Sequence, residues 1–130
     1  MEIKISRERL VERFLRYVSV DTQSDPQSET FPSTAKQLTL LNLLLEEMLA
    51  LGLSDAEIDP HGYVTGTVPA TPGHEEKPVI GLISHVDTSP DMAGAGVKPQ
   101  FVQDYDGNDI RLNDTLTMRV ADFPELAFFK

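Results

Sequence analysis

The chain has 130 residues, of which 40% are hydrophobic and 25% charged, a composition typical of one globular domain with an ordinary core. Acidic residues outnumber basic ones by 21 to 11, so the formal net charge is −10. This excess of negative charge argues against nucleic acid or an anionic membrane surface as a partner. The chain has no cysteine, which excludes disulfides, thiolate metal ligands and cysteine nucleophiles. Any metal must therefore be held by imidazole and carboxylate groups.

The first eight residues lack the apolar stretch of a secretion signal. No apolar run reaches the length that a transmembrane helix needs. A cytoplasmic protein without membrane contact is therefore expected.

Two amphipathic helices are predicted in the first half of the chain. The first begins at Ser6, as its N-cap, and ends near Ser19. The second begins around Ser33 or Thr34, after a polar loop, and ends before Gly52 at the C′ position. The apolar stripes that we interpret as core are Leu10, Val11, Phe14, Leu15 and Val18 in the first helix, and Leu38, Leu41, Leu45, Met48 and Leu49 in the second.

Strands are predicted next. Residues 59–62, with Asp-Pro followed by Gly, predict a turn, and residues 63–68 a short strand rich in β-branched side chains. Residues 79–84 are nearly continuously apolar, which is typical of a strand buried on both faces. Two helices followed by two such strands predict an α/β fold with three layers.

The last third of the chain has a different character. Strand-like runs at residues 100–102 and 110–112 flank a turn-like segment at 106–109 and predict a β-hairpin. The final segment carries large apolar side chains where chain termini are usually polar, so we expect a longer protein. These side chains are Leu126, Phe128 and Phe129.

The strongest candidate for chemistry is the pair His85 and Asp87 at the end of the apolar run 79–84. Side chains two positions apart on a strand point the same way, so the two groups should share one face. Ligands usually bind at the carboxyl end of strands in open α/β sheets. A metal-binding imidazole commonly donates its second N–H to a carboxylate, and this pair supplies both groups. Two other roles stay open at this point: His85 as an ordinary polar residue, and Asp87 as a cap of the turn that follows.

The remaining polar residues offer weaker candidates. His61 and His74 lie in a turn and a polar loop, are expected to be solvated, and have no zinc-signature spacing to His85. No Gly-x-Ser-x-Gly elbow surrounds Ser84 or Ser89, and no glycine-rich phosphate loop precedes a helix.

The segment from Ile80 to Thr88 resembles the first metal motif of the peptidase T family of zinc exopeptidases. Four other runs are similar to segments of the same family, so the resemblance extends over essentially the whole chain and favours this family over related dipeptidases and carboxypeptidases. These runs are residues 13–24, 32–37, 59–64 and 87–91.

The resemblance implies a cytoplasmic aminopeptidase that removes the N-terminal residue of tripeptides with two zinc ions. It implies that His85 is a ligand of one zinc and that Asp87 is the residue counted as catalytic, holding the imidazole in place. Residues 1–130 would be the N-terminal portion of a three-layer αβα catalytic domain. The sheet would be incomplete, with a small β-hairpin insertion near residues 97–115.

Members of that family are considerably longer, and their remaining ligands, general base and lid or dimerisation domain would lie beyond Lys130. We therefore expect at most one partial zinc site here, no activity of the chain alone, and self-association through open sheet edges. Two alternatives remain. One is a non-catalytic binding or assembly module that uses the apolar C-terminal side chains, and the other is a related dipeptidase or deacylase.

Overall fold

The computed structural model describes residues 5–130. This part divides into two compact units, one up to Val97 and one from Lys98 to Lys130. The first contains helices α1 (Arg7–Val18) and α2 (Gln37–Ala50) and strands β1 (Glu57–Ile58) and β2 (Val64–Thr65). The second contains strands β3 (Ile110–Arg111) and β4 (Thr117–Met118) and a 3-10 helix (Pro124–Phe129). None of the helices formed by residues 5–130 has the length and apolar character needed to cross a bilayer.

Helix α1 forms where the sequence predicts it. The Ser6 hydroxyl accepts a hydrogen bond from the Arg9 backbone N–H at 3.3 Å, and Ser19 is the C-cap. The apolar stripe is only partly covered. Leu10 and Phe14 are 61% and 60% exposed, whereas the three other stripe residues are half-buried. The buried face of α1 is therefore narrower than the periodicity suggests.

Helix α2 begins at Gln37, later than predicted, because the expected capping hydroxyls have other partners. Thr34 donates its hydroxyl to the Gln23 carbonyl at 2.9 Å. The Ser33 hydroxyl accepts from the Asp25 backbone N–H at 3.1 Å and from the Gln37 side chain at 3.1 Å. These residues thus tie the start of α2 to the preceding loop instead of capping the helix.

The core of the described part is small, in contrast to the ordinary core that the composition predicts. Leu40 and Leu41 of α2 are its only buried apolar side chains, at 7% and 4% exposure. The predicted stripe residues Leu38 and Leu49 are 39% and 47% exposed. The C-terminus of α2 follows the prediction, since Gly52 adopts φ of +93°, a conformation that favours glycine.

A polar cluster joins α1 to α2. Glu47 of α2 is paired with Arg13 at 3.3 Å and with Arg16, and it accepts a hydrogen bond from the Tyr17 hydroxyl at 2.5 Å. Partial burial, followed by the hydrogen bond to Glu47, raises the pKa of Tyr17. Glu47 is therefore the main polar link between the two helices.

Strands β1 and β2 form a short antiparallel hairpin in which Ile58 faces Val64. The predicted turn is present: the Asp59 carboxylate accepts from the backbone N–H groups of His61 and Tyr63 at 2.9 and 2.8 Å. Only residues 64–65 of the predicted strand 63–68 are paired. A Cβ at Gly62 would lie 3.3 Å from the Leu41 side chain, so this turn packs directly on α2.

The predicted buried strand at residues 79–84 is not formed. Its apolar side chains are 84% to 98% exposed, and no backbone hydrogen bond joins residues 79–86 to the rest of the described chain. A strand of this kind needs neighbouring strands at its edges and helices on its faces, and residues 5–130 supply neither. The architecture is a mixed helix and strand fold with two small antiparallel sheets.

In the second unit, the predicted hairpin has a different partner strand. Ile110 pairs with Met118 and Arg111 with Thr117, whereas residues 100–102 form no strand. The turn lies after β3 because the Asn113 side chain accepts from the backbone N–H groups of Thr115 and Leu116, both at 2.9 Å. In the 3-10 helix, Phe128 and Phe129 are 84% and 72% exposed.

Candidate metal-binding site

His85 and Asp87 are in contact, as the sequence predicts. The Nδ1 atom of His85 lies 3.1 Å from Oδ1 of Asp87, and the two side chains are 81% and 48% exposed. A neutral imidazole beside an ionised carboxylate forms this contact by donating from Nδ1–H, which leaves the lone pair of Nε2 for a ligand. The turn that follows is held by Ser89, whose hydroxyl donates to the Asp91 carboxylate at 2.7 Å. Asp87 thus contacts the imidazole and does not cap the turn.

Thr88, the residue after Asp87, is anchored to the loop that follows α1. Its N–H donates to the Thr22 carbonyl at 3.1 Å, and its carbonyl accepts from the Ser24 N–H at 2.9 Å. These bonds form an isolated parallel bridge between Gln23 and Thr88. Both backbone polar groups of Thr88 are therefore hydrogen-bonded, so the residue that follows Asp87 is held in place.

The side chain of Gln23 extends this anchor. Its Nε2 group donates to the carbonyls of Pro90 and Met92 at 2.9 and 3.0 Å. Its backbone N–H donates to the Asp21 carboxylate at 3.0 Å, and Lys36 binds the same carboxylate at 3.0 Å. These two groups, the Gln23 amide first, lower the pKa of Asp21. We call the set Asp21, Thr22, Gln23, Ser24 and Lys36 the loop clamp.

Gly94 closes the other side of the loop clamp. It is buried, and a Cβ at this position would lie 2.6 Å from the Asp21 carboxylate oxygen and 3.3 Å from the Gln23 backbone nitrogen. A side chain at position 94 would therefore displace Asp21 and disrupt the contacts of the clamp. Sequence reasoning did not identify the clamp and interpreted residues 21–32 simply as a polar loop. The available signal was the run 13–24, whose similarity to the family includes Asp21 and Gln23.

The described residues fit one metal ligand and its orienting carboxylate. Among residues 5–130, no group of three or more histidine, aspartate or glutamate side chains is placed to hold a metal ion. His61 and His74 are exposed, as predicted, and His61 lies edge-on to Phe31 with ring centroids 6.0 Å apart. The exposed Nε2 of His85 suits one coordination position, and zinc sites in enzymes need at least two more protein ligands.

No protein-family model matches the chain. Among curated proteins, it is 49% identical over 126 residues to a protein of Geobacillus sp. (strain WCH70) named peptidase T, covering 95% of this chain and 30% of that protein. Proteins of the same name in Clostridium acetobutylicum and Desulfitobacterium hafniense (strain Y51) are 51% and 55% identical over 125 and 119 residues, covering 95% and 90% of this chain and 30% and 28% of each relative. The chain is similar to peptidase T. The resemblance inferred from its motifs is thereby confirmed.

The chain spans about 30% of the length of the curated peptidase T relatives that it matches, and it corresponds to their N-terminal third. The match includes the mixed helix and strand part described above, which is compatible with part of a peptidase domain. The roles of His85 as a zinc ligand and of Asp87 as its catalytic partner stay predictions.

Proposed function

We propose that residues 1–130 are the N-terminal portion of the catalytic domain of a zinc-dependent aminopeptidase that removes the N-terminal residue of tripeptides. The observation that carries this proposal is the contact of 3.1 Å between His85 and Asp87, inside the segment that resembles the family's metal motif. The similarity to peptidase T over 95% of the chain supports the same assignment. The substrate is a tripeptide and the location is the cytoplasm.

In this proposal Nε2 of His85 would hold one of two zinc ions, and Asp87 would keep the imidazole in the Nδ1–H tautomer. When bound, zinc supplies an activated water for attack on the peptide carbonyl. The remaining ligands, the general base and the lid or dimerisation domain belong to the part of peptidase T that this chain does not match. That part also completes the three-layer αβα domain, in which residues 79–84 are an inner strand and the hairpin near residues 97–115 is an insertion.

The assignment of His85 and Asp87 is tested by tripeptide hydrolysis with the full-length protein. We expect Asp87→Asn to lower kcat by about 10- to 100-fold, because an orienting carboxylate has an effect of this size. His85→Ala should lower it further and reduce the zinc content. His74→Ala, which changes an exposed histidine, is the matched control and should be neutral. Unchanged activity and zinc content in His85→Ala would contradict the assignment.

The purified 130-residue chain should not hydrolyse tripeptides, even with added zinc. One imidazole and its carboxylate cannot form the three-ligand open site that catalytic zinc requires. The measurement is release of the N-terminal amino acid at several zinc concentrations. Hydrolysis that depends on His85 in this chain alone would refute the partial-site proposal.

We also propose that the chain on its own self-associates through residues 79–83. These residues carry no charge and expose apolar side chains beside backbone groups that make no hydrogen bond within residues 5–130, which is the template for strand pairing. Added salt should strengthen association, because it screens the net charge of −10. Light scattering should show a larger mass for the parent chain than for Ile83→Lys. Leu10→Lys, at another exposed apolar position, is the control, and a monomer at all salt concentrations would contradict the proposal.

A second candidate function is a non-catalytic binding or assembly module. The exposure of Phe128 and Phe129, at 84% and 72%, favours it, because large exposed aromatic side chains are typical of contact surfaces. Tripeptide hydrolysis by the full-length protein would rule this candidate out. A panel of dipeptides, tripeptides and acylated amino acids in the same assay separates a tripeptidase from a dipeptidase or deacylase.

A further inference from the structure

The segment that carries His85 and Asp87 is hydrogen-bonded to the loop clamp just after Asp87. Residues 79–86 make no backbone hydrogen bond to the rest of the described chain. The next bonds along the segment are those of Thr88, Pro90 and Met92 with the clamp. The clamp is thus the first place after the exposed run where this segment is hydrogen-bonded to the rest of the first unit.

Gln23 is the central member of the clamp. Its Nε2 group donates to two carbonyls of the segment, and its Oε1 atom lies 3.4 Å from the Lys36 ammonium group. A side-chain amide offers donors and an acceptor at the same end, whereas a carboxylate cannot donate. Glutamate at this position would face the Pro90 and Met92 carbonyls with oxygen atoms alone, although its shape is almost the same.

We propose that Gln23 is a positioning residue for Asp87, acting through Thr88 on the contact between Asp87 and His85. The proposal rests on the proposed function, in which Asp87 orients a zinc ligand. Gln23 fixes the segment after Thr88, and its backbone pairs with Thr88 in the parallel bridge. With Thr88 fixed on both sides, the preceding carboxylate stays on Nδ1 of His85. Without the clamp, Asp87 and His85 belong to an exposed segment with no anchor among the described residues.

Two pairs of variants test this positioning. Gln23→Glu removes both donors, and Gln27→Glu makes the same change at an exposed position of the same loop. Gly94→Ala opens the clamp from the opposite side, because its Cβ would lie 2.6 Å from the Asp21 carboxylate. Gly81→Ala is its control, since a Cβ there meets nothing within 4 Å.

The readout is the tautomer of His85 in the 130-residue chain, measured from imidazole ¹⁵N chemical shifts at one mildly alkaline pH and at a dilution where light scattering shows a monomer. The parent chain should show mainly the Nδ1–H tautomer, which donates to Asp87. Gln23→Glu and Gly94→Ala should shift the signals toward the Nε2–H tautomer of a free imidazole, and Asp87→Ala should do the same. Both controls should match the parent.

Unchanged His85 signals in Gln23→Glu and Gly94→Ala would overturn the proposal. Far-UV circular dichroism checks that helices α1 and α2 persist in each variant. Loss of both helices in both clamp variants would show a purely structural clamp and would also overturn the proposal. If only one of the two variants keeps its helices, its tautomer decides the question.

Kinetics of the full-length protein separate this proposal from the proposed function. Gln23→Glu should lower kcat about tenfold and leave KM within about twofold, because it disturbs an orienting group and not substrate binding. Gln27→Glu should leave both constants unchanged. If the unmodified full-length protein is active but the His85 signals of the clamp variants are unshifted, the positioning role alone is contradicted. If the full-length protein is inactive but the His85 signals of the clamp variants are shifted, the proposed function is contradicted and the positioning role of Gln23 is supported.

Discussion

Helix α2 and residues 79–83 are both rich in large aliphatic side chains, yet they differ completely in burial. Leu40 and Leu41 of α2 are 7% and 4% exposed, whereas Leu82 and Ile83 are 95% and 98% exposed. All four side chains are aliphatic and of equal size, so hydrophobicity does not explain the difference. What differs is the set of neighbouring elements that each segment contacts.

Helix α2 has neighbours on several sides. Glu47 links it to α1, and the turn at Gly62 packs on Leu41. Residues 79–83 have no such neighbours within the described chain, and the segment is anchored only after Thr88, by the loop clamp. An apolar run therefore shows that a segment is suited to burial, whereas the packing of other elements determines whether burial occurs.

The largest expected effect is on the stability of the α2 core. Leu41→Ala should lower the free energy of unfolding by about 2–5 kcal/mol, because it removes buried contacts and leaves a cavity. Leu82→Ala, the same substitution at an exposed position, should change it by less than about 0.5 kcal/mol. Urea unfolding followed by circular dichroism measures both. Equal destabilisation by the two variants would contradict the difference in burial between these segments.

A smaller effect is expected for the polar link between the helices. Glu47→Gln should lower the free energy of unfolding by about 1 kcal/mol, because it weakens the charged hydrogen bonds with Arg13, Arg16 and Tyr17. Its neighbour Glu46 is exposed, so Glu46→Gln is the matched control and should be neutral. The comparison uses the same unfolding assay at moderate salt. A loss of equal size in Glu46→Gln would point to net charge as the cause.

The smallest effect concerns the pH dependence of the loop clamp. The pKa of Asp21 is lowered from its ordinary value of 3.8, so its contribution to stability is present above that pH and is lost as the pH falls below it. Asp21→Asn should therefore reduce the unfolding midpoint at pH 6, and the difference from the parent should shrink below about pH 3.8. Thermal unfolding of both proteins at pH 6 and at a pH below 3.8 measures this difference. A difference that grows on acidification would contradict the clamp contact.

Several features could be predicted because they depend on neighbouring residues. The Ser6 cap, the Gly52 terminus and the turn at Asp59 are set by local backbone geometry and local hydrogen bonds. The approach of His85 to Asp87 could be predicted in the same way, since residues two apart in an extended segment point the same way, although what holds Asp87 in that place could not. The contact forms even though the segment is not part of a sheet.

Other features could not be predicted because they depend on distant residues. The loop clamp joins residues 21–24 to residues 88–94, and no local pattern specifies that pairing. The hairpin partner of β3 was decided by the Asn113 side chain, which closes a turn that competes with the predicted one at residues 106–109. In both cases a side chain binds backbone groups of another segment or turn and selects one arrangement among several.

The sequence by itself thus determined the helix α1, the ends of the local turns, the similarity to peptidase T and the pairing of His85 with Asp87. The tertiary structure alone decided which apolar residues are buried, which strands pair and what holds the site segment in place. The physical reason is the separation along the chain of the residues that interact. Backbone propensities and i, i+2 contacts are properties of a few adjacent residues. Burial and strand pairing depend on surfaces supplied by residues far away in the chain.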